Sequence, residues 1–179
     1  LRTANLIEGV ASAGTAPGIL NAHVLPHADL KPGQLYKQVP VYAVSDGGNI
    51  LVDFGMGIRG MIPSDHLFDQ SVESEFRIKV RKTKYAVGAR NDVRVLTVDE
   101  TTKRCLVTAK RSLVKANNDE IMTSYQDAKV GQKAVGFVSK LDDDGLFVTF
   151  FNGVYGRVTK RSLAVELGVE NHRESYNDG

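Results

Sequence analysis

Most of the residues in this chain whose chemistry could serve a function are cations, and they are concentrated in one stretch. Residues 76–115 carry 12 Lys or Arg and 3 Asp or Glu, whereas residues 1–75 carry 4 and 8, and residues 116–179 carry 7 and 10. The formal net charge is only +2, so the distribution of charge is more informative than its total. A cationic stretch of this kind is typical of a surface that contacts a polyanion, and also of a solvated strand face.

Residues suited to catalysis or metal binding form no recognisable site. The histidines lack the spacing of metal ligands, and Pro26 argues against a helix that presents both His23 and His27. The run Asp142–Asp144 is typical of a tight turn, and the single cysteine, Cys105, excludes an intrachain disulfide. No phosphate-binding glycine loop and no apolar run near the roughly 18 residues of a membrane span is present. We therefore expect no enzymatic activity, metal, cofactor, small-molecule substrate or membrane partner.

The elements that would position the cations are short β-strands. Leu35–Val44 and Ile50–Phe54 are rich in β-branched and aromatic residues, and Asp, Gly and Asn residues separate them. A glycine-bounded third strand, Gly60–Ile62, leads into a helical turn, and two alternating strands follow at Asp92–Val98 and Arg104–Thr108. Five short strands, with a helical turn between the third and the fourth, predict a five-stranded OB-type barrel.

The same pattern of residues occurs a second time. Asp29–Gln34 returns as Asp127–Gln132, and Gly57–Ile62 returns as Gly153–Val158. A repeat of this length is a small domain rather than one turn of a solenoid. The second copy stops before the last two strands of the first.

Three parts follow from this repeat. Residues 1–26 are predicted to be the tail of a preceding repeat with its linker, residues 27–116 a complete repeat, and residues 117–179 a repeat that lacks its last two strands. The predicted fold class is all-β, with tandem five-stranded OB-fold barrels that have a short helix between strands 3 and 4. The chain begins with Leu1 rather than Met, so we expect it to be a piece of a longer tandem array.

The segment Phe76–Arg81 has no counterpart in the second copy. It alternates apolar and basic residues strictly. This alternation is typical of a strand with one buried and one cationic face. We interpret the segment as an additional edge strand or an extended basic loop.

The order of these motifs resembles the S1-type RNA-binding repeat family. The resemblance rests on the Gly-Gln before the first strand, the Val-x-Phe strand, the Gly-x-x-Gly turn and the final Asp-x-x-x-x-Arg-x-x-Val-Thr-x-Lys from Asp99 to Lys110. The linker from Lys110 to Gly131 and the Val148–Gly156 stretch with its paired phenylalanines are also similar to those of the ribosomal RNA processing protein 5 family, which are large nucleolar ribosome-biogenesis factors.

These resemblances imply an OB-type barrel and a non-enzymatic RNA-binding scaffold. They imply single-stranded or structured pre-ribosomal RNA and ribosome assembly proteins as partners, and the nucleolus within the nucleus as the location. Two other functions stay open: a module that binds only proteins, and an RNA-binding appendage of a ribonuclease or a translation protein.

Binding of single-stranded RNA requires aromatic side chains that stack on bases. The resemblance implies a platform of two aromatics beside the second strand and a His after the Gly-x-x-Gly turn. In the second copy these positions hold Asp144, Phe147 and Thr159, and in the first copy they hold Gly48, Leu51 and Pro63. Phe147 is expected to face outward, because its neighbours alternate into the interior. It would stack on a base, pack on a neighbouring repeat or be covered by a partner protein.

Phosphate binding requires exposed cations. If Val93 and Val95 point inward, Arg94 points outward, and the same alternation exposes Arg104. The pair Asp99 and Arg104 matches a polar pair near the binding face of S1-type repeats, with a surface salt bridge as the other interpretation. A basic helix start at Lys160 and Arg161 opposes the helix dipole, which favours a phosphate contact there. The full predicted RNA-binding set is Arg59, Arg94, Asp99, Arg104, Phe147, Arg157, Lys160 and Arg161.

Overall fold

The described part of the chain is mostly β-structure, arranged as one closed barrel and one smaller sheet. The computed structural model describes residues 19–21, 30–99, 101 and 104–167. Their strands are β1 (Ile19–Asn21), β2 (Leu35–Val44), β3 (Ile50–Gly55), β4 (Ile58–Ile62), β5 (Arg90–Asp99), β6 (Arg104–Thr108), β7 (Phe137–Asp142), β8 (Gly145–Thr149) and β9 (Tyr155–Thr159). Their α-helices are α1 (Ser74–Thr83), α2 (Arg111–Lys115) and α3 (Lys160–Leu167).

Strands β2 to β6 close the barrel that the sequence predicts for the first repeat. The strand order is β2-β3-β4-β6-β5, and β5 returns to pair with β2. All neighbouring strands of the barrel are antiparallel except β4 and β6, which are parallel. The helical turn predicted between the third and the fourth barrel strands is present as a 3-10 helix at Ser64–His66, and helix α1 follows it before β5. Strand β1 adds to β2 in parallel, with Ile19 opposite Leu35.

The core of the barrel consists of the residues that alternate inward along these strands. Tyr36 and Phe54 are fully buried and meet edge to face, with ring centroids 5.2 Å apart. A Cβ at Gly60 would lie only 2.7 Å from the Phe54 ring, so the glycine makes room for this aromatic residue. Cys105 and Val107 are buried, as the alternation predicts. Burial raises the pKa of the Cys105 thiol to about 12.

The second repeat forms a three-stranded antiparallel sheet with the order β7-β8-β9. The prediction of tandem barrels therefore holds for one barrel only. Within residues 117–167 the structure contains three strands and helix α3. That this repeat lacks its last two strands stays a prediction. The domain boundaries at residues 26 and 116 stay a prediction. No helix in the described ranges is long and apolar enough to cross a bilayer.

The basic segment is a helix, so both interpretations of Phe76–Arg81 were wrong. Helix α1 places Val80 against the barrel core and Phe76 near Phe68, with ring centroids 6.1 Å apart. An added edge strand requires a free edge, and the closed barrel offers none beside β5, which pairs on both sides with β2 and β6. The guanidinium of Arg81 packs directly on Gly48, where any side chain would collide with it.

The exposed position predicted for Arg94 was also wrong. Arg94 does point away from the barrel interior, but the linker after the barrel covers that face, and only 1% of the residue is exposed. Its Nη1 donates to the Gly33 carbonyl at 2.7 Å. Its Nη2 donates to the carbonyls of Ala116 at 2.8 Å and Val114 at 3.2 Å. Burial lowers the pKa of this guanidinium. Arg94 therefore holds the linker against the barrel by hydrogen bonds and is not a phosphate contact.

Several sequence-based expectations lie outside the described residues. They concern the tail strand at Val10–Ala13, the His23 and His27 pair, His172 and the final segment at Tyr176–Gly179.

The hydrogen bonds of Arg94 to the barrel loop and the linker should contribute to the free energy of unfolding. Replacement by methionine, Arg94→Met, removes three charge-assisted hydrogen bonds and leaves buried carbonyls without donors, so we expect a loss of about 3 kcal/mol in the free energy of unfolding. The matched control is Arg104→Met on the exposed face of the next strand, which should change stability by less than about 0.5 kcal/mol. Urea denaturation followed by circular dichroism measures both. Equal midpoints for the two variants would contradict the structural role.

Candidate nucleic-acid interface

The outer face of the three-stranded sheet brings a phenylalanine and two cations into one row. In the register of the sheet, Phe147 on β8 lies between Lys140 on β7 and Arg157 on β9. The Arg157 Cζ lies 5.8 Å and the Lys140 Nζ 5.9 Å from the centroid of the Phe147 ring. Both distances are within the range of a cation–π interaction. The row therefore combines a stacking surface with two charges suited to phosphates.

A groove of about 360 Å³ runs along this row. Its lining residues are Ser139, Lys140, Phe147, Thr149, Gly153 and Tyr155. Tyr155 is 60% exposed, so its ring is available to a ligand. Its backbone N–H donates to the Tyr125 hydroxyl at 3.2 Å, and the two rings meet edge to face with centroids 6.1 Å apart. An aromatic residue from the linker thus extends the face of the sheet.

Phe147 is half-buried on this face, in agreement with the outward orientation that alternation predicts, while Leu146 beside it is buried. The sequence analysis did not identify Lys140, Tyr155 and Tyr125 as members of the site. The register of β7 against β8 would have revealed Lys140, but a bulge between Val138 and Lys140 shifts that register by one residue. Tyr125 is brought near by the path of the linker, which leaves no signal in strand alternation.

Arg157 and the start of α3 flank the row. Arg157 forms an ion pair with Asp144 at 3.3 Å, and both side chains are exposed. The backbone N–H of Lys160 donates to the Asp144 carbonyl at 2.8 Å. Lys160 and Arg161 are exposed in the first turn of α3, which contains no acidic residue. Three of the predicted cations therefore lie on the same module as Phe147.

The barrel also carries an aromatic residue with a cation above its ring. The Cζ of Arg59 lies 4.1 Å above the centroid of the Tyr42 ring, and Tyr42 is 44% exposed. Tyr42 was missed by the sequence analysis, although its position next to the core residue Val41 already indicated an outward side chain. The positions Gly48, Leu51 and Pro63 supply no aromatic ring, so Tyr42 is the aromatic residue that accompanies Arg59.

Asp99 and Arg104 face each other across the β5–β6 hairpin. They are opposite one another in the register, and both are exposed. Asp99 also accepts a hydrogen bond from the Thr101 N–H at 2.9 Å. Of the eight predicted residues, the structure therefore brings together Phe147 with Arg157 and Asp99 with Arg104, while Arg94 is buried elsewhere.

Titratable groups also meet where the barrel contacts the second module. His66 is buried, its Nδ1 lies 3.2 Å from the Thr108 hydroxyl, and its ring meets Phe137 edge to face at 4.5 Å. Burial lowers the pKa of His66 to about 4, assisted by Lys110 and opposed by Asp65. Among the residues that the structure describes, no group of His, Cys, Asp and Glu could hold a metal ion.

Comparison with known proteins identifies one protein family in this chain. The model of the S1 RNA binding domain matches residues 38–110. The rRNA biogenesis protein RRP5 of Arabidopsis thaliana is 36% identical over 164 residues, which are 92% of this chain and 8% of that protein. The protein RRP5 homolog of Homo sapiens is 32% identical over 170 residues, which are 95% of this chain and 9% of that protein. The chain thus spans less than a tenth of the length of these relatives.

Among solved structures, the solution structure of GSP13 from Bacillus subtilis is similar to this chain. It superposes with a TM-score of 0.38 at 16% identity, over 57% of this chain and 73% of that one.

The burial of His66 predicts how the stability of the fold depends on pH. Because the folded state holds His66 neutral, the unfolded state binds the proton more tightly, and stability decreases as the pH falls from 6.5 toward 4. Between pH 7 and pH 5 we expect a loss of about 2 kcal/mol from this group. The variant His66→Gln should lose correspondingly less over the same range, since His23, His27 and His172 remain in both proteins. Urea denaturation at several pH values measures the difference, and parallel curves would refute the assignment.

Proposed function

We propose that this chain, in which residues 38–110 match the S1 RNA binding domain and which is similar to RRP5 rRNA biogenesis proteins, is an RNA-binding scaffold segment of a ribosome-biogenesis protein. In this proposal it contacts pre-ribosomal RNA and ribosome assembly proteins in the nucleolus. Its role is binding rather than catalysis.

The observation that carries the proposal is the row Lys140, Phe147 and Arg157 beside an open groove. A base stacked on a protein aromatic ring contributes about 1–3 kcal/mol, and any of the four bases can stack. Cations on both sides of the ring neutralise the phosphates that flank such a base. The Tyr155 ring, at the other end of the groove, suits a second base.

The first barrel contributes charge rather than stacking in this proposal. Arg59 with Tyr42 and the exposed Arg104 offer cations to the RNA backbone. Helix α1 adds exposed lysines at positions 79 and 82. We infer that the second module holds bases and that the barrel extends the contact along the phosphates.

Salt dependence tests the proposal for the whole segment. We expect binding of a single-stranded RNA to weaken as salt rises, with the logarithm of affinity falling by about 0.7 per phosphate contact for each unit of log salt. Arg157→Gln should reduce that slope by about one contact. Arg111→Gln, at an exposed position at the start of α2, is the matched control and should leave the slope unchanged. Fluorescence anisotropy at several salt concentrations gives both slopes. Undetectable binding at low salt would contradict the proposal and favour a module that binds only proteins.

Stacking on Phe147 is tested separately. Phe147→Ala should weaken RNA binding about tenfold with an unchanged salt slope, because it removes a stacking surface and no charge. Phe76→Ala, which removes a half-exposed phenylalanine from helix α1, is the matched control and should leave affinity within about twofold. If both variants bind like the unmodified protein, Phe147 is not a stacking residue.

A further inference from the structure

A second cavity lies between the barrel and the three-stranded sheet. This joint cleft has a volume of about 330 Å³ and is lined by Asp65 and Lys110 from the barrel and by residues 137–141 of strand β7. Its size is at the lower end of small-ligand sites, about 300 Å³ and above. It therefore has room for a small planar group rather than for a protein element.

Lys110 is the unusual member of the joint cleft. Only 5% of this residue is exposed, and its backbone N–H donates to the Thr108 hydroxyl at 3.1 Å. Within the described part of the chain its ammonium makes no hydrogen bond or ion pair, and Nζ lies 5.9 Å from the centroid of the Phe137 ring. The Nζ atom itself stays accessible at the wall of the cleft and is therefore available to a ligand. The site thus presents a donor that a ligand acceptor would satisfy.

The charges around Lys110 argue against a phosphate as that ligand. Burial lowers the pKa of Lys110, while the carboxylates of Asp65 and Asp69 raise it. Asp69 already accepts hydrogen bonds from the Ser112 N–H at 3.0 Å and the Ser112 hydroxyl at 2.6 Å. Asp65 lines the cleft beside Lys110, where its carboxylate would repel an anion that Lys110 and Lys140 attract. A neutral group with acceptors for Lys110 and N–H donors for Asp65 suits the cleft better.

A nucleobase meets this description, and the walls of the cleft suit one. Phe137 supplies an aromatic wall, and the His66 ring at 4.5 Å holds it in place edge to face. Unstacked bases of single-stranded RNA are bound between apolar or aromatic walls and by hydrogen bonds to their edges. Guanine has two neighbouring acceptors, O6 and N7, and, along its Watson–Crick edge, two neighbouring N–H donors at N1 and N2.

The joint cleft and the groove on the sheet adjoin each other at strand β7. Ser139 and Lys140 of this strand line both cavities. An RNA strand stacked on Phe147 would therefore reach the cleft with its next bases.

We propose that the joint cleft binds one unstacked guanine of an RNA strand, with Lys110 donating to O6 and N7 and Asp65 accepting from N1–H and the N2 amino group. This inference rests on the proposed RNA-binding function. It assigns base specificity to the junction between two modules, whereas the Phe147 groove stacks bases without distinguishing them.

The test uses the full chain and three labelled oligonucleotides: decauridine, the same RNA with one central guanosine, and the same RNA with inosine at that position. Guanosine should bind about tenfold more tightly than uridine, because a well-placed pair of hydrogen bonds gives discrimination of this order. Inosine lacks the N2 amino group and should give an intermediate affinity. Fluorescence anisotropy at one fixed salt concentration measures all three.

Variants then locate the effect. Lys110→Met and Asp65→Asn should each reduce the preference for guanosine to less than about twofold while decauridine binding stays nearly unchanged. Lys115→Met and Asp46→Asn, at exposed positions outside the cleft, are the matched controls and should keep the full preference. Circular dichroism verifies folding, and if Lys110→Met does not fold, Asp65→Asn decides alone.

The possible results separate the two proposals. No binding of any oligonucleotide at low salt contradicts the RNA-binding function itself. Binding of decauridine with no gain from guanosine overturns the guanine site and leaves the function standing. A preference for guanosine that survives both cleft variants also overturns the site.

Discussion

The buried guanidinium of Arg94 joins three parts of the chain that would otherwise be independent. It lies on β5 of the barrel and donates to the loop before β2, at Gly33, and to the linker after the barrel, at Val114 and Ala116. Gly33 has a φ of +81°, and a side chain at this position would collide with Ile121 of the linker. A charge buried in this way is stable only while its partners stay in place. The path of the linker out of the barrel is therefore constrained at its first turn.

The position of the second module follows from that path. Leu96 on the outer face of β5 packs with Leu113 of α2 and with Phe151, forming a second apolar cluster outside the barrel core. Phe137 reaches the same cluster and also contacts His66 of the barrel. The cleft at the joint exists because two modules, each with its own core, are held side by side. Asp65 and Lys110 come from the barrel, whereas the aromatic wall and Lys140 come from the second module, so neither module contains the site alone.

The two copies of the repeat have separate roles in the function we propose. The barrel has a complete core and a cationic surface, whereas the sheet carries the row of Lys140, Phe147 and Arg157. An aromatic ring can stack on any of the four bases, and a cation binds phosphates whatever the RNA sequence is. These contacts therefore provide affinity without selecting a base. Selection of one base requires a hydrogen-bond donor and an acceptor in fixed positions. In the described part of the chain, the joint cleft brings such a pair together, because Lys110 and Asp65 both line it.

The sequence by itself determined the five barrel strands β2 to β6, their order along the chain and their inward residues, because alternation and turn residues are local properties of the chain. It did not predict β1, which lies in a stretch interpreted as a linker. It also determined that Phe147 faces outward. It did not determine that Phe76–Arg81 is a helix, since strict alternation of apolar and basic residues suits a strand equally well. In the structure β5, the strand that follows this segment, is already paired on both sides with β2 and β6. Nor did it determine the environment of Arg94 or Lys110. Alternation states which side of a strand a residue occupies, but only the tertiary structure decides whether that side meets water or a neighbouring part of the chain.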